Sequence, residues 1–289
     1  MAMGLLETRI AFIGGGHMGG ALAAGLLARG VSASALVVSD PSAAARARLA
    51  DAYGIETTAD NASAVRGAGL VILAVKPQTL AAVVPPLAAE LRASNAVVLS
   101  IAAGVRVRAL EFWCGPGIAV VRAMPNRPAL VGAGAAGLYA PATVDADARR
   151  LAEATLRAVG GAWWVAEEAL LDAITALSGS GPAYFFLLAE CMAEAGVELG
   201  LDLATAQALA RATLAGAGAL AGRSDVELAT LRAEVTSKGG TTEAALRSFG
   251  ERDLRGIVLR SMAAAAARSR ELADQAHADG AATNSPPEL

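Results

Sequence analysis

Through the first half of the chain, short apolar runs alternate with segments whose apolar residues recur every three or four positions. Thr8–Ile13 (TRIAFI) predicts a strand, and Gly20–Arg29 behind it a helix. Ala35–Ser39 (ALVVS) predicts the next strand, followed by a helix from Pro41 to about Tyr53. Leu70–Val75 and Ala96–Ala102 are apolar at nearly every place, without alternation, which marks strands covered on both faces. Ile118–Arg122 predicts a fifth strand, and weaker β signals follow at Gly132–Ala140 and Ala162–Val165. Strands separated by helices imply right-handed βαβ units and a parallel sheet, an α/β architecture.

From Glu167 onward the pattern is helical throughout. Glu167–Leu177, Ala183–Leu199, Leu203–Ala221, Val226–Val235 and Thr242–Ala273 are separated by Gly and Ser breaks, so a domain boundary is expected near Ala166. Residues 1–166 then form a sheet domain and 167–277 an all-helical one, while 278–289, with Gly, Asn, Ser and two prolines, is expected to be a disordered tail. Many of the helices are apolar nearly all round; Ala212–Gly222 carries no charge. A small helical domain cannot enclose so much apolar surface alone, and dimerisation through these helices is the expected solution.

Composition sharpens that expectation. The chain is 55% hydrophobic and only 18% charged, with a net charge of −3, which excludes a disordered chain and offers no basic surface for nucleic acid or an anionic membrane. The longest uncharged stretch, Ile10–Ala28, has the length of a membrane span but concentrates glycines at Gly14, Gly15, Gly16, Gly19 and Gly20, as a tight turn would. No targeting segment is read, so a cytoplasmic location is expected. Cys114 and Cys191 lack any paired spacing and are expected as buried free thiols. The two histidines, His17 and His277, cannot build a His-rich metal site.

Candidate chemistry lies at the strand ends and at one helical break. Gly14-Gly15-Gly16-His17-Met18-Gly19 matches GxGxxG between a predicted strand and helix. Gly14 would permit the turn, Gly16 the approach of a pyrophosphate, and Gly19 close packing of helix on strand; with a strand before and a helix after, this favours a dinucleotide site over glycines that serve close packing alone. Asp40, at the end of the second strand, is placed to bond a ribose 2′-OH, or instead to cap the next helix; Arg46 and Arg48 are near enough to meet a 2′-phosphate. Val75-Lys76-Pro77, Ile101-Ala102-Ala103-Gly104 and Arg122–Asn126 occupy further strand ends, where open α/β sheets bind ligands. In the helical half, Thr236-Ser237-Lys238-Gly239-Gly240-Thr241-Thr242-Glu243 joins a Gly-Gly turn to a helix start. Backbone N–H groups there can cradle a carboxylate, or the segment is a capping box.

In combination, IGGGHMG, AVKP, SIAAGV, VRAMPNRPALVGAG, ALSGSGPAY and VTSKGGTTEAAL, spread from Ile13 to Leu246, resemble the pyrroline-5-carboxylate reductases. The resemblance implies an N-terminal Rossmann domain, a helical dimerisation domain with dimers assembling into decamers, and reduction of 1-pyrroline-5-carboxylate to L-proline, the last step of proline biosynthesis. NADPH is the implied cofactor, with NADH as the alternative. By position it implies that Gly14, Gly15, Gly16, His17, Met18 and Gly19 hold the pyrophosphate and that Asp40 and Asn61 lie near the adenosine ribose. Ala74, Val75, Lys76 and Pro77, with Ile101, Ala102 and Ala103, would line the nicotinamide side. Gly239, Gly240 and Thr241 would bind the substrate carboxylate through backbone amides, Thr242 would place its hydroxyl on the ring nitrogen as the catalytic group, and Ser237 would support the loop.

Three positions depart from the family pattern: Lys238 where proline is frequent, Arg127 where threonine is, and Asp40 where a small polar residue suits NADPH. Two other readings stay open at this level. One is a reductase of another imine or 2-hydroxy acid, against which stands the absence of a helical-domain lysine other than Lys238. The other is a non-catalytic dinucleotide-binding regulator, which would have no use for a substrate cradle.

Overall fold

The computed structural model describes residues 3–282. Eight strands form one sheet: β1 (Ile10–Ile13), β2 (Leu36–Ser39), β3 (Glu56–Thr58), β4 (Leu70–Leu73), β5 (Val97–Ser100), β6 (Ala119–Met124), β7 (Gly134–Tyr139) and β8 (Gly160–Trp164). Their order is β3-β2-β1-β4-β5-β6-β7-β8. The chain therefore runs outward from β1 to β3 and then crosses back to start again at β4, on the other side of β1. That reversal is the switch point at which doubly wound sheets open a crevice. β1, β2 and β4 are buried at every position, which is why their sequences show no alternation. One core, with Phe12, Leu22, Leu26 and Leu156, covers one face, and a second, with Ile13, Leu73, Leu110 and Trp113, covers the other.

The structure adds to and amends the sequence reading in particular places. The sheet is parallel except at β6–β7, where Arg122 opposes Tyr139 in antiparallel register. β3 and the short helices Asn61–Val65 and Ala88–Ala93 are additional elements, too short to show a period in the sequence. The segment expected as one helix from Thr242 to Ala273 is two, Thr241–Glu251 and Leu254–Ala282, divided at Asp253, which has φ 55°. Before the Ser180-Gly181-Pro182 break, Leu170–Ile174 continues into a π-helical turn at Thr175–Gly179.

Two compact units result. The first comprises the chain up to Gly179 together with the segment from Ala265 onward; the second is Ser180–Ala264. β8 and the Leu170–Ile174 helix thus belong with the sheet, as does the far part of Leu254–Ala282. That helix reaches five residues into the segment expected as a tail, and 283–289 lie outside the described residues.

The second unit holds the helices Gly181–Glu198, Leu203–Gly222, Leu228–Glu234 and Thr241–Glu251 and the start of Leu254–Ala282. Its buried cluster consists of Ala193, Ala206 and Ala210. Phe185, Phe186, Leu187 and Leu188 are all about half exposed or more, at 61%, 60%, 59% and 46%. Such helices leave an apolar surface that calls for a covering chain. Among the described residues no helix is long and apolar enough to cross a membrane, and no group of three or more His, Cys, Asp or Glu side chains is placed to hold a metal ion.

The cysteines divide. Cys191 is exposed in the single chain, because its helix faces outward, contrary to the expectation of burial; Cys114 is buried. Burial, and secondarily the nearby Glu111 charge, pushes the Cys114 thiol up to about 12. Since the thiolate is the nucleophile, iodoacetamide at neutral pH is expected to leave Cys114 unmodified in the native protein and to alkylate it after unfolding, as read by peptide mass spectrometry.

Candidate functional site

The cofactor-side residues expected from sequence all belong to the first unit, at the carboxyl ends of β1, β2, β4 and β5, with Asn61 after β3. Register brings them level: Ile13 pairs with both Ser39 and Leu73, and Leu73 with Ser100. Beyond the ladder, Gly14 N donates to Ser39 O (2.8 Å), Ala74 N to Ile13 O (2.8 Å) and Ile101 N to Leu73 O (3.2 Å), so the loops after these strands start side by side.

The glycine turn is built tightly. Gly14 has φ +108°, and a Cβ there would lie 2.7 Å from Ala74 O. A Cβ on Gly19 would lie 2.5 Å from Gly14 O, so the helix His17–Ala28 packs onto the turn at backbone distance. Gly16 differs: a Cβ there would meet nothing within 4 Å. Gly16 is also the N-cap of that helix, with no side chain capping it, and the first intrahelical bond is Gly20 N to Gly16 O (2.9 Å). The amides ahead of Gly20 therefore face an open, uncapped helix end, a positive end that suits phosphate oxygens. The residues fit a dinucleotide.

At the end of β2 the geometry is more specific than the sequence. Asp40 does not cap the following helix; Ser42 does, accepting from Ala45 N. Asp40 instead accepts from Gly15 N at Oδ2 (2.7 Å) and from Ser42 N at Oδ1 (2.8 Å), so each carboxylate oxygen already holds a backbone N–H. Arg46 Nη1 donates to Asp40 O (2.7 Å) and Pro41 O (3.0 Å), and Arg48 Nη2 to Gly15 O (2.6 Å). Two guanidinium groups thus border the turn. Asn61 Oδ1 accepts from Ser39 Oγ (2.6 Å). Lys76 is exposed and precedes the Pro77–Val83 helix, with Pro77 at its first position, where the missing N–H costs nothing.

The second unit carries the other set. Ser237, Gly239, Gly240, Thr241 and Thr242 form a turn that opens directly into the Thr241–Glu251 helix. Gly239 takes φ +73°, and Gly240 is an N-cap with no side chain of its own. Two of the three amides expected to meet a carboxylate are engaged: Gly239 N donates to Glu243 Oε2 (2.6 Å), and Gly240 N to Ser237 O (3.0 Å). The first intrahelical bond is Ala244 N to Gly240 O (3.2 Å), leaving the amides of Thr241 and Thr242 at the helix end. Glu243 thus reaches back past the N-cap Gly240 to the amide before it, so the segment is not a capping box and the first amides of the helix stay uncapped.

Each expected set is assembled within its own unit. Near the first set the structure also shows acidic residues that sequence reasoning did not single out, Glu168 and Asp172, bonded to Arg122 and Arg106 respectively. Burial lowers the Arg122 guanidinium pKa, and Glu168 pulls it back up. The signal available was an arginine inside an otherwise apolar strand, which demands a buried partner.

Comparison with known proteins also divides the chain in two, but not at the boundaries of the two units. A family model described as pyrroline-5-carboxylate reductase dimerisation matches residues 168–272, and one described as NADP oxidoreductase, coenzyme F420-dependent, matches residues 9–104. The chain is 49% identical over 267 residues to a pyrroline-5-carboxylate reductase of Pseudomonas aeruginosa, covering 92% of this chain and 97% of the relative. It is 42% identical to that of Vibrio alginolyticus, covering 92% and 98%. Among solved structures it is similar to a pyrroline-5-carboxylate reductase from Coxiella burnetii, with a TM-score of 0.88 and 40% identity over 92% of this chain and 98% of that one. It is also similar to a pyrroline carboxylate reductase of Plasmodium falciparum with NADP bound, with a TM-score of 0.79 and 26% identity over 93% and 99%.

Proposed function

The chain belongs to the pyrroline-5-carboxylate reductase family, and from that premise we propose that its two uncapped helix ends divide the work, the first holding the cofactor and the second the substrate. The reaction is reduction of 1-pyrroline-5-carboxylate to L-proline, with NADP(H) as cofactor. The chain is a homo-oligomer; we read the functional form as dimers gathered into a pentamer of dimers, in the cytoplasm. The observation that carries the division of roles is that both glycine turns end in helix N-termini whose amides no side chain caps.

NADPH, when bound, supplies the hydride. Gly14, Gly15, Gly16, His17, Met18 and Gly19 would receive the pyrophosphate at the helix end. Ala74, Val75, Lys76 and Pro77 with Ile101, Ala102 and Ala103 would line the nicotinamide side. The substrate is a cyclic imine whose protonated form already carries positive charge, so it needs orientation more than acid assistance. In this reading the turn of Ser237, Gly239, Gly240 and Thr241 receives the substrate carboxylate, with the amides of Thr241 and Thr242 open to it. The Thr242 hydroxyl contacts the ring nitrogen, and Lys238 adds positive charge beside the anion.

Cofactor preference follows from the end of β2. Asp40 holds the turn through Gly15 N and Ser42 N, while Arg46 and Arg48 present guanidinium groups beside it. Arginine there accommodates a 2′-phosphate, so NADPH is the preferred substrate. Initial rates followed by loss of reduced-nicotinamide absorbance test this. NADPH is expected to outpace NADH, and the Arg46→Ala, Arg48→Ala double variant to raise KM for NADPH about tenfold while leaving that for NADH unchanged. Equal losses with both cofactors would show that the arginines only brace the turn.

A further inference from the structure

The loop after β5 is fastened at its far end by residues to which the reading above gives no role. Glu168 Oε1 accepts from Val107 N (2.7 Å) and from Arg122 Nη1 (2.5 Å). Arg106 Nη2 donates to Asp172 Oδ2 (2.9 Å), and Ser269 Oγ donates to Asp172 Oδ1 (2.8 Å). Arg122, Asp172 and Ser269 are all buried, at 5%, 5% and 7% exposure. Two guanidinium groups face two carboxylates, and both Asp172 oxygens have donors, so the cluster is balanced; removing one member leaves buried polarity unpaired. The helix bearing Ser269 also lies on the loop directly: Gly104 has φ +75°, and a Cβ there would sit 3.4 Å from Ala273 N.

We propose that Asp172, held by Ser269, is a positioning residue for the nicotinamide-side loop, fixing Ile101–Ala103 from the C-terminal helix. This rests on the reading that Ile101–Ala103 line the nicotinamide. The loop is anchored at its near end by Ile101 N on Leu73 O (3.2 Å) and at its far end by Arg106 and Val107, with Gly104 in the left-handed region between. Slack at the far end is taken up by the residues between the anchors. The glycine turn is held by Gly14 N on Ser39 O and by Gly15 N on Asp40, and Asp40 by its own N on Thr58 O, so neither is reached by it. Loss of the Ser269–Asp172 contact therefore acts on the nicotinamide half of the cofactor and spares the adenosine half.

The test compares binding of NADPH with binding of 2′,5′-ADP, which carries only the adenosine half, to the full-length protein. Ser269→Ala and Asp172→Asn are expected to weaken NADPH about tenfold, as small displacements of positioning groups do, and to leave 2′,5′-ADP unchanged. Ser269→Thr, which keeps a hydroxyl, is expected to restore NADPH binding. Should Asp172→Asn fail to fold, Ser269→Ala carries the test alone, because it deletes one hydroxyl. Ala103→Leu, at an exposed position of the loop, separates the two ideas. If it weakens NADPH while Ser269→Ala binds like the parent, the positioning role is overturned. Equal weakening of both ligands by Ser269→Ala overturns it too. If Ala103→Leu has no effect on NADPH, the assignment of the loop itself is overturned.

Discussion

Thr242→Ala is expected to lower kcat/KM for pyrroline-5-carboxylate by about a hundredfold, the scale of losing one preorganised donor at a reacting group. Thr242 is the second residue of the Thr241–Glu251 helix, and its hydroxyl bonds to no group among the described residues, so its removal costs the fold nothing it uses. Alanine is the better helix former, and the melting temperature of the variant should match or exceed that of the parent. Thr242→Ser, which keeps the hydroxyl, should retain most of the activity. Steady-state rates with saturating NADPH read the effect. Parent-like kinetics in Thr242→Ala would remove this side chain from the mechanism and leave orientation to the backbone amides alone.

The second large effect separates two glycines of one turn. Gly14→Ala forces a Cβ to 2.7 Å from Ala74 O at φ +108°. Strain of that kind costs about 1–3 kcal/mol, and the variant should melt a few degrees lower and lose NADPH binding together. Gly16→Ala meets nothing within 4 Å, and Gly16 has φ −66° and ψ −168°, which alanine adopts freely. Its melting temperature should be unchanged, yet a methyl group in the open space ahead of the helix should weaken NADPH about tenfold or more by blocking close approach of the pyrophosphate. A melting curve and a fluorescence titration on each variant decide the matter. Parent-like affinity in Gly16→Ala would mean that the dinucleotide does not approach that amide.

What was legible in the sequence depended on how local the cause was. β1, β4 and β5 announce themselves because strands covered on both faces are apolar throughout, and the glycine turns because backbone geometry demands glycine. β3 has only the polar triplet Glu56–Thr58 and takes its conformation from pairing with β2, which no local pattern carries. The candidate residues of each turn were legible from spacing, but not their hydrogen bonds. That Asp40 spends its oxygens on Gly15 and Ser42, and that Glu243 reaches Gly239, depends on side-chain placement that spacing only permits. The Asp172–Ser269 contact joins residues 97 positions apart and was beyond any periodicity argument. So was the return of the chain to its first unit, since Leu254–Ala282 is one uninterrupted helix with no break at Ala265.

That return has a consequence for the order of events in synthesis. Domains ordinarily close as units while the chain emerges, the N-terminal one first. Here the sheet can pair as soon as β8 is made, but Asp172 waits for Ser269, and Gly104 for the helix backbone at Ala273. The whole of Ser180–Ala264 must be translated in the meantime. The first unit to begin folding is therefore also the one whose last contacts form only after the second unit has been made.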